Sequence, residues 1–364
     1  MALIRQIATQ NLLRVARTRT CRALSTSTGT AANTKTSSTT PPIHDDNPSS
    51  SSSSSSPHHR IHLLFGANTD VGKSIISTGL VHAAAAAASS SSSSSQSQQQ
   101  QHASVNYIKP LQCGGSDESF VLRHRKNDND GTKSDLNVNC QTLFTWETPA
   151  SPHLASRWEN MPVSDSEVLS SLRKSLQRIE VDTGDTDGDS IRNVTIIESA
   201  GGVLSPSSSS PLNNTTDIAG SSSSSSFWGW STQADLYSSL NIPVVFVGDG
   251  KLGGISVTLA SLEALWSRGY QVDAIVFIEG ADDGDNGESI QFGKGNTEAL
   301  REYMTMQNNG QQHRLVDNDS IICLPSLPPM PIPLDEWYED NREEFRRLDC
   351  LLSKRWMARH DDNI

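Results

Sequence analysis

A glycine-rich run that ends in a lysine and a serine follows the first apolar segment of the chain. It leads into an alanine-rich stretch and reads, from residue 66 to residue 74, G-A-N-T-D-V-G-K-S. Successive backbone N–H groups and a helix N-terminus attract phosphate oxygens, the lysine reaches the β- and γ-phosphates, and the serine hydroxyl binds Mg²⁺. The strict pattern has glycine where Ala67 stands, and an ordinary glycine turn is the alternative. The strand–loop–helix context nevertheless predicts a phosphate loop.

Charged side chains end two further apolar segments. Lys109 follows residues 105–108, and Glu198 follows residues 194–197. Parallel strands end at one edge of a sheet, so both side chains are predicted to face the crevice beside the phosphate loop. Simpler alternatives are a solvated strand end for the lysine and a structural salt bridge for the carboxylate. Because hard cations take oxygen ligands, Glu198 is a candidate Mg²⁺ ligand.

Two other segments offer polar groups near strand ends. Asp117 begins a predicted short helix, where a carboxylate binds metal or simply caps the helix. Residues 247–256 combine a strand end, a glycine turn and a helix N-terminus. Such a terminus accepts a carboxylate or phosphate, although a tight connection between strand and helix is the alternative.

Alternating strand and helix patterns predict an α/β fold. Short apolar runs at residues 61–65, 105–108, 194–197, 244–247, 274–278 and 321–323 are typical of strands buried on both faces. Helical patterns cover residues 74–88, 164–179 and 256–266. We therefore expect one phosphate-loop NTPase-type domain, with a mostly parallel sheet and helices on both faces.

Serine tracts interrupt this pattern at residues 49–56, 89–95, 207–210 and 221–226. Such sequence buries too little apolar area to offset its ordering entropy, so these tracts are predicted to be disordered insertions. The resulting division is a presequence with a serine-rich linker at residues 1–60, the phosphate-loop domain at 61–333 and a C-terminal helical extension at 334–364. The extension either packs on the domain or is a remnant linker.

The first 44 residues contain arginines among apolar residues but no aspartate or glutamate. This composition predicts a cleavable mitochondrial presequence and a matrix location, with an untargeted basic tail as the alternative. The net charge of the whole chain is −12, which disfavours a nucleic-acid partner. No apolar run approaches the ~20 residues that span a bilayer, so no membrane association is expected. The five cysteines lack metal-site spacing or disulfide density.

In this order, the segments resemble the dethiobiotin synthetases. That family has G-T-D-T-x-V-G-K-T, Y-K-P-V-x-[ST]-G, S-D, S-P-H, V-E-G-A-G-G and K-L-G-x-I. This chain has G-A-N-T-D-V-G-K-S, Y-K-P-L-Q-C-G, S-D, S-P-H, I-E-S-A-G-G and K-L-G-G-I. The resemblance extends over residues 61–333 and is similar to the synthetase half of bifunctional eukaryotic enzymes, for example at residues 142–147 and 247–250.

The resemblance implies an ATP-dependent cyclo-ligase of biotin synthesis that acts on 7,8-diaminononanoate and CO₂ or bicarbonate. It implies a homodimer with the substrate site at the interface, and it assigns roles to four groups of residues. The implied catalytic residues are Lys73, Lys109 and Thr69. The implied Mg²⁺ ligands are Ser74, Asp117 and Glu198. The implied ATP contacts are Asp70, Val71, Gly72, Lys73, Ser74, Ile75, Glu198, Ser199, Ala200, Gly201, Pro325, Ser326 and Leu327. The implied substrate contacts are Cys113, Leu252, Gly253, Gly254 and Ile255.

The chain departs from the family pattern at several positions, and two other functions remain open. Cys113 replaces Ser or Thr, Ser199 and Ala67 replace glycine and threonine, and the adenine-reading Asn-Asp pair is Glu279-Gly280. One alternative is a partitioning or scaffold-type phosphate-loop ATPase, although such proteins have a second lysine early in the loop. The other is an inactive regulatory homologue. A separate aminotransferase activity is not expected from this sequence.

Overall fold

The computed structural model describes residues 58–91, 104–124, 137–181, 193–208, 210–211, 228–280, 292–308, 316–329 and 331–361. The predicted presequence and the serine tracts at 49–56 and 221–226 lie outside these ranges. Within the ranges that are described, no helix is long and apolar enough to cross a membrane.

A seven-stranded parallel sheet forms the centre of the described chain. Its strands are β1 (His59–Gly66), β2 (Ser104–Cys113), β3 (Asn137–Trp146), β4 (Asn193–Glu198), β7 (Val244–Val247), β8 (Val272–Ile278) and β9 (Ile321–Leu324). The strands are arranged in the order β3-β2-β4-β1-β7-β8-β9. Two-residue strands β5 (Ser210–Pro211) and β6 (Trp228–Gly229) form a separate antiparallel pair.

Helices cover both faces of this sheet. They are α1 (Lys73–Ser91), α2 (Asp117–Arg123), α3 (Pro152–Trp158), α4 (Asp165–Val181), α5 (Gln233–Tyr237), α6 (Gly254–Trp266), α7 (Phe292–Asn308), α8 (Asp335–Asp340) and α9 (Arg342–Asp361). Alternate residues of β1 enter two apolar layers: Leu63 joins a layer with α6, whereas Leu64 joins a layer with α1. Burial on both faces accounts for the uninterrupted apolar runs of the central strands.

The predicted α/β class with a parallel sheet is confirmed, and all six predicted strands are present. The strand β3 was not predicted, because its side chains alternate between half-buried and exposed along Asn139, Cys140 and Gln141 and form no apolar run there. The prediction that a strand ends at Lys109 was wrong, since β2 continues to Cys113 by pairing with β3 alone.

Part of the serine tract 207–210 is ordered, which corrects the prediction of disorder there. Ser207 and Ser208 are buried, and the Ser207 hydroxyl donates to Asp165 Oδ1 at 2.9 Å. Ser231 also donates to Asp165, and the backbone N–H of Ser207 donates to the Ser231 carbonyl. The carboxylate therefore holds together both ends of the segment that leads to and from β5 and β6. The tract 89–95 likewise begins inside α1, which extends to Ser91.

The C-terminal segment forms two helices that pack against the rest of the chain. Phe345 of α9 lies against Gly79 of α1 so closely that a Cβ on this glycine would be 2.2 Å from the ring. Phe345, Leu348 and Leu352 are buried in the same apolar layer as α1. Of the two alternatives for the C-terminal extension, the structure has the one in which it packs on the domain, over the described residues 334–361.

This close approach predicts that Gly79→Ala destabilises the protein. The methyl group should raise helix propensity but force the buried Phe345 ring to move, for a net loss of about 1–3 kcal/mol in the free energy of unfolding. Gly295→Ala in α7 is the matched control, because a Cβ there meets nothing within 4 Å. The control should be neutral or up to about 1 kcal/mol more stable in urea denaturation. Equal stability of the two variants would contradict the packing described.

Candidate functional site

The phosphate loop connects β1 to α1 at the carboxyl edge of the sheet. Two residues have positive φ, Asp70 at 60° and Gly72 at 96°. A Cβ on Gly72 would also lie 2.4 Å from the Ile278 side chain, so both backbone conformation and space require glycine. Lys73 is buried, and its Nζ donates to the Asn68 carbonyl across the loop at 3.1 Å. The loop thus carries its lysine on the first residue of α1.

Glu198 at the end of β4 accepts hydrogen bonds from four side chains. One carboxylate oxygen, Oε1, accepts from Ser74 Oγ at 2.8 Å and from Lys109 Nζ at 2.8 Å. The other, Oε2, accepts from Ser77 Oγ at 2.7 Å and from Tyr107 OH at 3.0 Å. Glu198 is only 1% exposed, so this carboxylate is held by α1 and β2 rather than by water. Sequence reasoning missed Ser77 and Tyr107.

The strand register explains why Lys109 meets Glu198. The last β2–β4 pair is Ile108 with Ile197, so the next residue of each strand lies at the same level of the sheet. Lys109 Nζ also contacts Asp117 Oδ2 at 2.7 Å and the Ser199 carbonyl at 3.2 Å. Asp117 is the first residue of α2, which Ser116 caps by accepting a hydrogen bond from Ser119 N. One buried ammonium group therefore lies between two carboxylates.

The charges of this cluster stabilise one another. Burial alone would raise the pKa of Glu198, but Lys109 and the surrounding donors hold it below its usual value. Burial alone would lower the pKa of Lys109, but Glu198 and Asp117 hold it above its usual value. Lys73 differs, because burial and the nearby Lys109 lower its pKa to about 8. At neutral pH we expect both lysines to be charged and Glu198 to be ionised.

The oxygen atoms of Ser74, Asp117 and Glu198 fit a Mg²⁺ ion bound together with a nucleotide. Among the residues described, no group of three or more His, Cys, Asp or Glu side chains forms a self-contained metal site. Mg²⁺ typically uses one or two protein carboxylates and takes its other ligands from water and phosphate. Two carboxylates and a hydroxyl beside a phosphate loop match that preference.

The loop after β4 lies against the tip of the phosphate loop. A Cβ on Gly202 would lie 3.0 Å from the Ala67 carbonyl, and a Cβ on Gly201 would lie 3.8 Å from Thr69 Oγ1. Ser199 is buried and its hydroxyl donates to the Leu64 carbonyl at 3.0 Å, which gives this departure from the family glycine a structural role. Ala200 is also buried. Thr69, by contrast, is exposed beside Gly201.

The remaining predicted residues of this segment lie just before α1 or in its first turn. Val71 is buried beside Gly72, and the Ile76 backbone N–H donates to the Gly72 carbonyl at 3.0 Å. Ile75 lies in the first turn of α1.

Cys113 is half-buried at the end of β2. Burial raises the pKa of its thiol to about 12, so the group stays protonated near neutral pH. It is therefore a weak donor rather than a nucleophile.

The predicted substrate segment 252–255 lies at the N-terminus of α6. Leu252 is 76% exposed, Gly253 has φ of 83°, and Gly254 is buried against the Asp249 carbonyl. Ile255 and Val257 are also exposed, so the segment presents apolar side chains to solvent. Among the residues that the structure describes, no hydrogen bond joins this segment to Lys109, Asp117 or Glu198.

The loop after β9 contains Pro325, Ser326 and Leu327. Leu327 packs partly against the apolar layer of α1, and the Ser326 carbonyl accepts from Trp337 Nε1 at 3.1 Å. Pro325 lines a polar cavity of about 570 Å³ at the outer edge of β9 together with Arg301, Cys323 and Arg347. That cavity contains none of the phosphate-loop residues.

Glu279 follows β8 and has a role that the sequence did not show. Its two carboxylate oxygens accept from the backbone N–H groups of Gly293 at 2.7 Å and Lys294 at 2.9 Å. The side chain thus binds the N-terminus of α7. This hydrogen bonding gives Glu279 a structural role at the start of α7.

Comparisons with known proteins identify two kinds of similar sequence. No protein-family model matches the chain. It is 33% identical to the "Bifunctional dethiobiotin synthetase/7,8-diamino-pelargonic acid aminotransferase, mitochondrial" of Oryza sativa subsp. japonica, over 80% of this chain and 34% of that protein. It is 28% identical to the "ATP-dependent dethiobiotin synthetase BioD" of Neorickettsia sennetsu (strain ATCC VR-367 / Miyayama), over 65% of this chain and 80% of that protein. The chain thus spans about a third of the length of the bifunctional relative from Oryza sativa.

A solved structure with a similar arrangement is the MinC:MinD cell division protein complex of Aquifex aeolicus. The TM-score is 0.38 with 8% identity, and the match covers 82% of this chain and 96% of that one. A likeness of this strength says nothing about function.

Proposed function

The chain is a homologue of the dethiobiotin synthetases, and from this premise we propose that it catalyses ATP-dependent formation of dethiobiotin. The observation that carries the proposal is the convergence of Ser74, Lys109 and Asp117 on or beside the Glu198 carboxylate. Three separate elements contribute these groups next to a phosphate loop. Such a cluster suits phosphoryl transfer, in which catalysis is mostly positioning and charge neutralisation.

The proposed reaction has three steps. An amine of 7,8-diaminononanoate adds to CO₂ and loses a proton, which gives a carbamate. A carbamate oxygen then attacks the γ-phosphorus of ATP, so that the bond to ADP breaks and a carbamic–phosphoric anhydride forms. The second amine attacks the carbamoyl carbon, expels inorganic phosphate, loses a proton and closes the cyclic urea.

The described residues divide this work between them. Lys73 and the loop amides bind the β- and γ-phosphates, and Lys109 neutralises charge on the carbamate and the transferred phosphoryl group. Ser74, Asp117 and Glu198 hold Mg²⁺, which neutralises phosphate charge when bound. Thr69 lines the carbamate site beside Gly201.

The other predicted contacts complete the proposed site. Asp70 and Ile75 flank the phosphates, the loop 199–201 closes the nucleotide side, and residues 325–327 flank the base. The Cys113 thiol is a weak donor to the diamine.

The substrate carboxylate is proposed to bind in a homodimer. The exposed apolar side chains of Leu252, Ile255 and Val257 at the start of α6 support an interface there, because a partner would remove them from water. The helix N-terminus would then face the substrate of the partner. The relatives named mitochondrial support a matrix location, and cleavage of the first residues would be checked by sequencing the mature N-terminus.

Phosphate release from ATP tests this function. We expect release to require both diaminononanoate and bicarbonate, with dethiobiotin formed in equal amount. Release that is independent of the diamine would favour a partitioning-type ATPase, and nucleotide binding without any release would favour an inactive homologue. Either result would overturn the proposed activity.

The lowered pKa of Lys73 predicts that nucleotide affinity depends on pH. The lysine loses its proton as the pH rises through about 8, and the phosphates favour its charged form. Affinity for Mg·ATP should therefore be greatest below that pH and about tenfold weaker near pH 9 than near pH 7. A Lys73→Arg variant keeps its charge over this range and should give a flat profile by calorimetry. A flat profile for the unchanged protein would contradict the assignment.

A further inference from the structure

The short helix α8 lies outside the region of family resemblance, yet it contacts three elements that carry predicted nucleotide-binding or Mg²⁺-binding residues. These elements are the first turn of α1, the helix α2 and the loop after β9. Trp337 and Tyr338, which make most of these contacts, are each 7% exposed. One face of the helix is therefore buried against the domain, while the other four residues of the helix are exposed.

The first contact reaches the turn that begins with Lys73 and Ser74. Tyr338 OH donates to the Ile75 carbonyl at 3.2 Å. In the same turn, Thr78 Oγ1 donates to the Ser74 carbonyl at 2.7 Å. Burial raises the pKa of Tyr338 far above its usual value, so the hydroxyl remains a donor. The carbonyl directly after Ser74 is thus fixed by a side chain from the far end of the sequence.

The second contact reaches α2, whose first residue is Asp117. The Tyr338 ring lies 5.8 Å from the ring of His124 at the end of this helix. His124 Nδ1 also lies 3.3 Å from Asp335 Oδ1, although Asp335 is largely exposed and such a pair contributes little. Both contacts join α8 to the C-terminal end of α2.

The third contact reaches the loop that is predicted to flank the nucleotide base. Trp337 Nε1 donates to the Ser326 carbonyl at 3.1 Å, which fixes the middle residue of that loop. The Trp337 and Tyr338 rings in turn pack on Phe345, at centroid distances of 6.1 Å and 6.2 Å. Asn341 adds a hydrogen bond to the Trp337 carbonyl at 2.7 Å. The three contacts therefore come from one rigid aromatic cluster.

We propose that α8 positions the nucleotide-binding elements, with Tyr338 and Trp337 as positioning residues that act through Ile75 and Ser326. The proposal rests on the proposed function only for the location of the bound nucleotide. Neither side chain touches the reacting atoms in this scheme. A first turn that is already ordered loses less conformational entropy when it binds phosphate, so removing the contact weakens binding.

A conservative pair of variants tests the role of Tyr338. Tyr338→Phe removes only the hydroxyl that donates to Ile75. Tyr270→Phe is the matched control, because its hydroxyl also donates to a backbone carbonyl, that of Ala234 at 2.8 Å, and its exposure is the same 7%. The hydroxyls of the two tyrosines lie on opposite faces of the sheet.

Direct binding of Mg·ATP to the full chain, measured by calorimetry, is the readout. For Tyr338→Phe we expect a dissociation constant about three- to tenfold higher than that of the unchanged protein, the range that one hydrogen bond gives. Tyr270→Phe should match the unchanged protein, and both variants should show similar shifts in thermal midpoint. In turnover assays the KM for ATP should rise for Tyr338→Phe, whereas the KM for the diamine should not.

Trp337→Phe provides a second, independent variant, because it removes the donor to Ser326 and keeps a ring in the cluster. We expect weaker Mg·ATP binding here as well. Equal affinities for Tyr338→Phe, Trp337→Phe and Tyr270→Phe would overturn the proposal. A chain that binds Mg·ATP but makes no dethiobiotin would contradict the proposed function alone, since the binding comparison would still decide the role of α8. A chain without affinity for Mg·ATP would contradict both.

Discussion

Lys109→Ala should lower kcat for dethiobiotin formation by about 10²–10³-fold, because the ammonium group neutralises charge that develops on the carbamate and the phosphoryl group. Mg·ATP should still bind, since Lys73 and the loop amides keep their positions. Steady-state kinetics and calorimetry on the same preparation separate the two effects. The variant should also be less stable, because Glu198 and Asp117 lose their shared partner.

The exposed Lys174 of α4 gives the matched control. Lys174→Ala removes the same charge from the surface and should leave kcat and stability unchanged. If Lys109→Ala is folded and turns over like the Lys174 variant, Lys109 has no part in the reaction. A Lys109→Arg variant should recover stability better than activity, because the guanidinium keeps the charge but not the geometry.

Glu198→Gln should raise the Mg²⁺ concentration needed for half-maximal rate by at least about tenfold and lower kcat. The carboxylate accepts from Ser74, Ser77, Tyr107 and Lys109, whereas glutamine offers one carbonyl oxygen and an amide that is itself a donor. Each buried donor left without an acceptor costs about 1–3 kcal/mol. Stability should therefore fall together with activity.

A control variant at a second buried carboxylate distinguishes an effect on the Mg²⁺ requirement from a loss of stability. Asp349 of α9 is paired with the buried Arg60 near the start of β1, at the opposite end of the strand from the phosphate loop. Asp349→Asn should destabilise the protein while the Mg²⁺ requirement of the remaining folded enzyme stays unchanged. An unchanged requirement in Glu198→Gln as well would remove this residue from the proposed Mg²⁺ site.

The meeting of Lys109 and Glu198 was predictable from the sequence because both follow apolar runs of parallel strands. What the sequence did not show is that β2 continues beyond Lys109, since its further residues pair only with the edge strand β3. The side chains of β3 alternate between half-buried and exposed along Asn139, Cys140 and Gln141, so this strand gives no apolar run there. Lys109 was therefore predicted to lie at the end of a strand, whereas it lies inside β2.

The sequence spacing indicates two of the donors to Glu198, although the sequence analysis did not use it. Ser77 lies three residues after Ser74 and so shares its face of α1, and Tyr107 lies two residues before Lys109 on the same face of β2. Once Ser74 and Lys109 are candidates, these periodicities single out both neighbours. Their hydroxyl groups are what keeps the buried carboxylate fully hydrogen-bonded.

Contacts between distant parts of the chain were beyond sequence reasoning. Tyr338 and Ile75 are separated by 263 positions, and the packing of Phe345 on Gly79 depends on how two helices lie on the same face of the sheet. The prediction of disorder for residues 207–210 was wrong for a different reason. Their composition indicates disorder, but the Ser207 hydroxyl donates to Asp165 and its backbone N–H donates to the Ser231 carbonyl, which composition does not reveal.

The transfer of oxygen from bicarbonate to phosphate tests the central claim most directly. In the proposed reaction a carbamate oxygen attacks the γ-phosphorus and leaves with the phosphate when the ring closes. With ¹⁸O-labelled bicarbonate, diaminononanoate and Mg·ATP, we predict inorganic phosphate that carries ¹⁸O, detected by mass spectrometry before the label exchanges with water. Phosphate whose new oxygen comes from the solvent would show simple ATP hydrolysis and would contradict carbamate phosphorylation at the Lys109–Glu198 cluster.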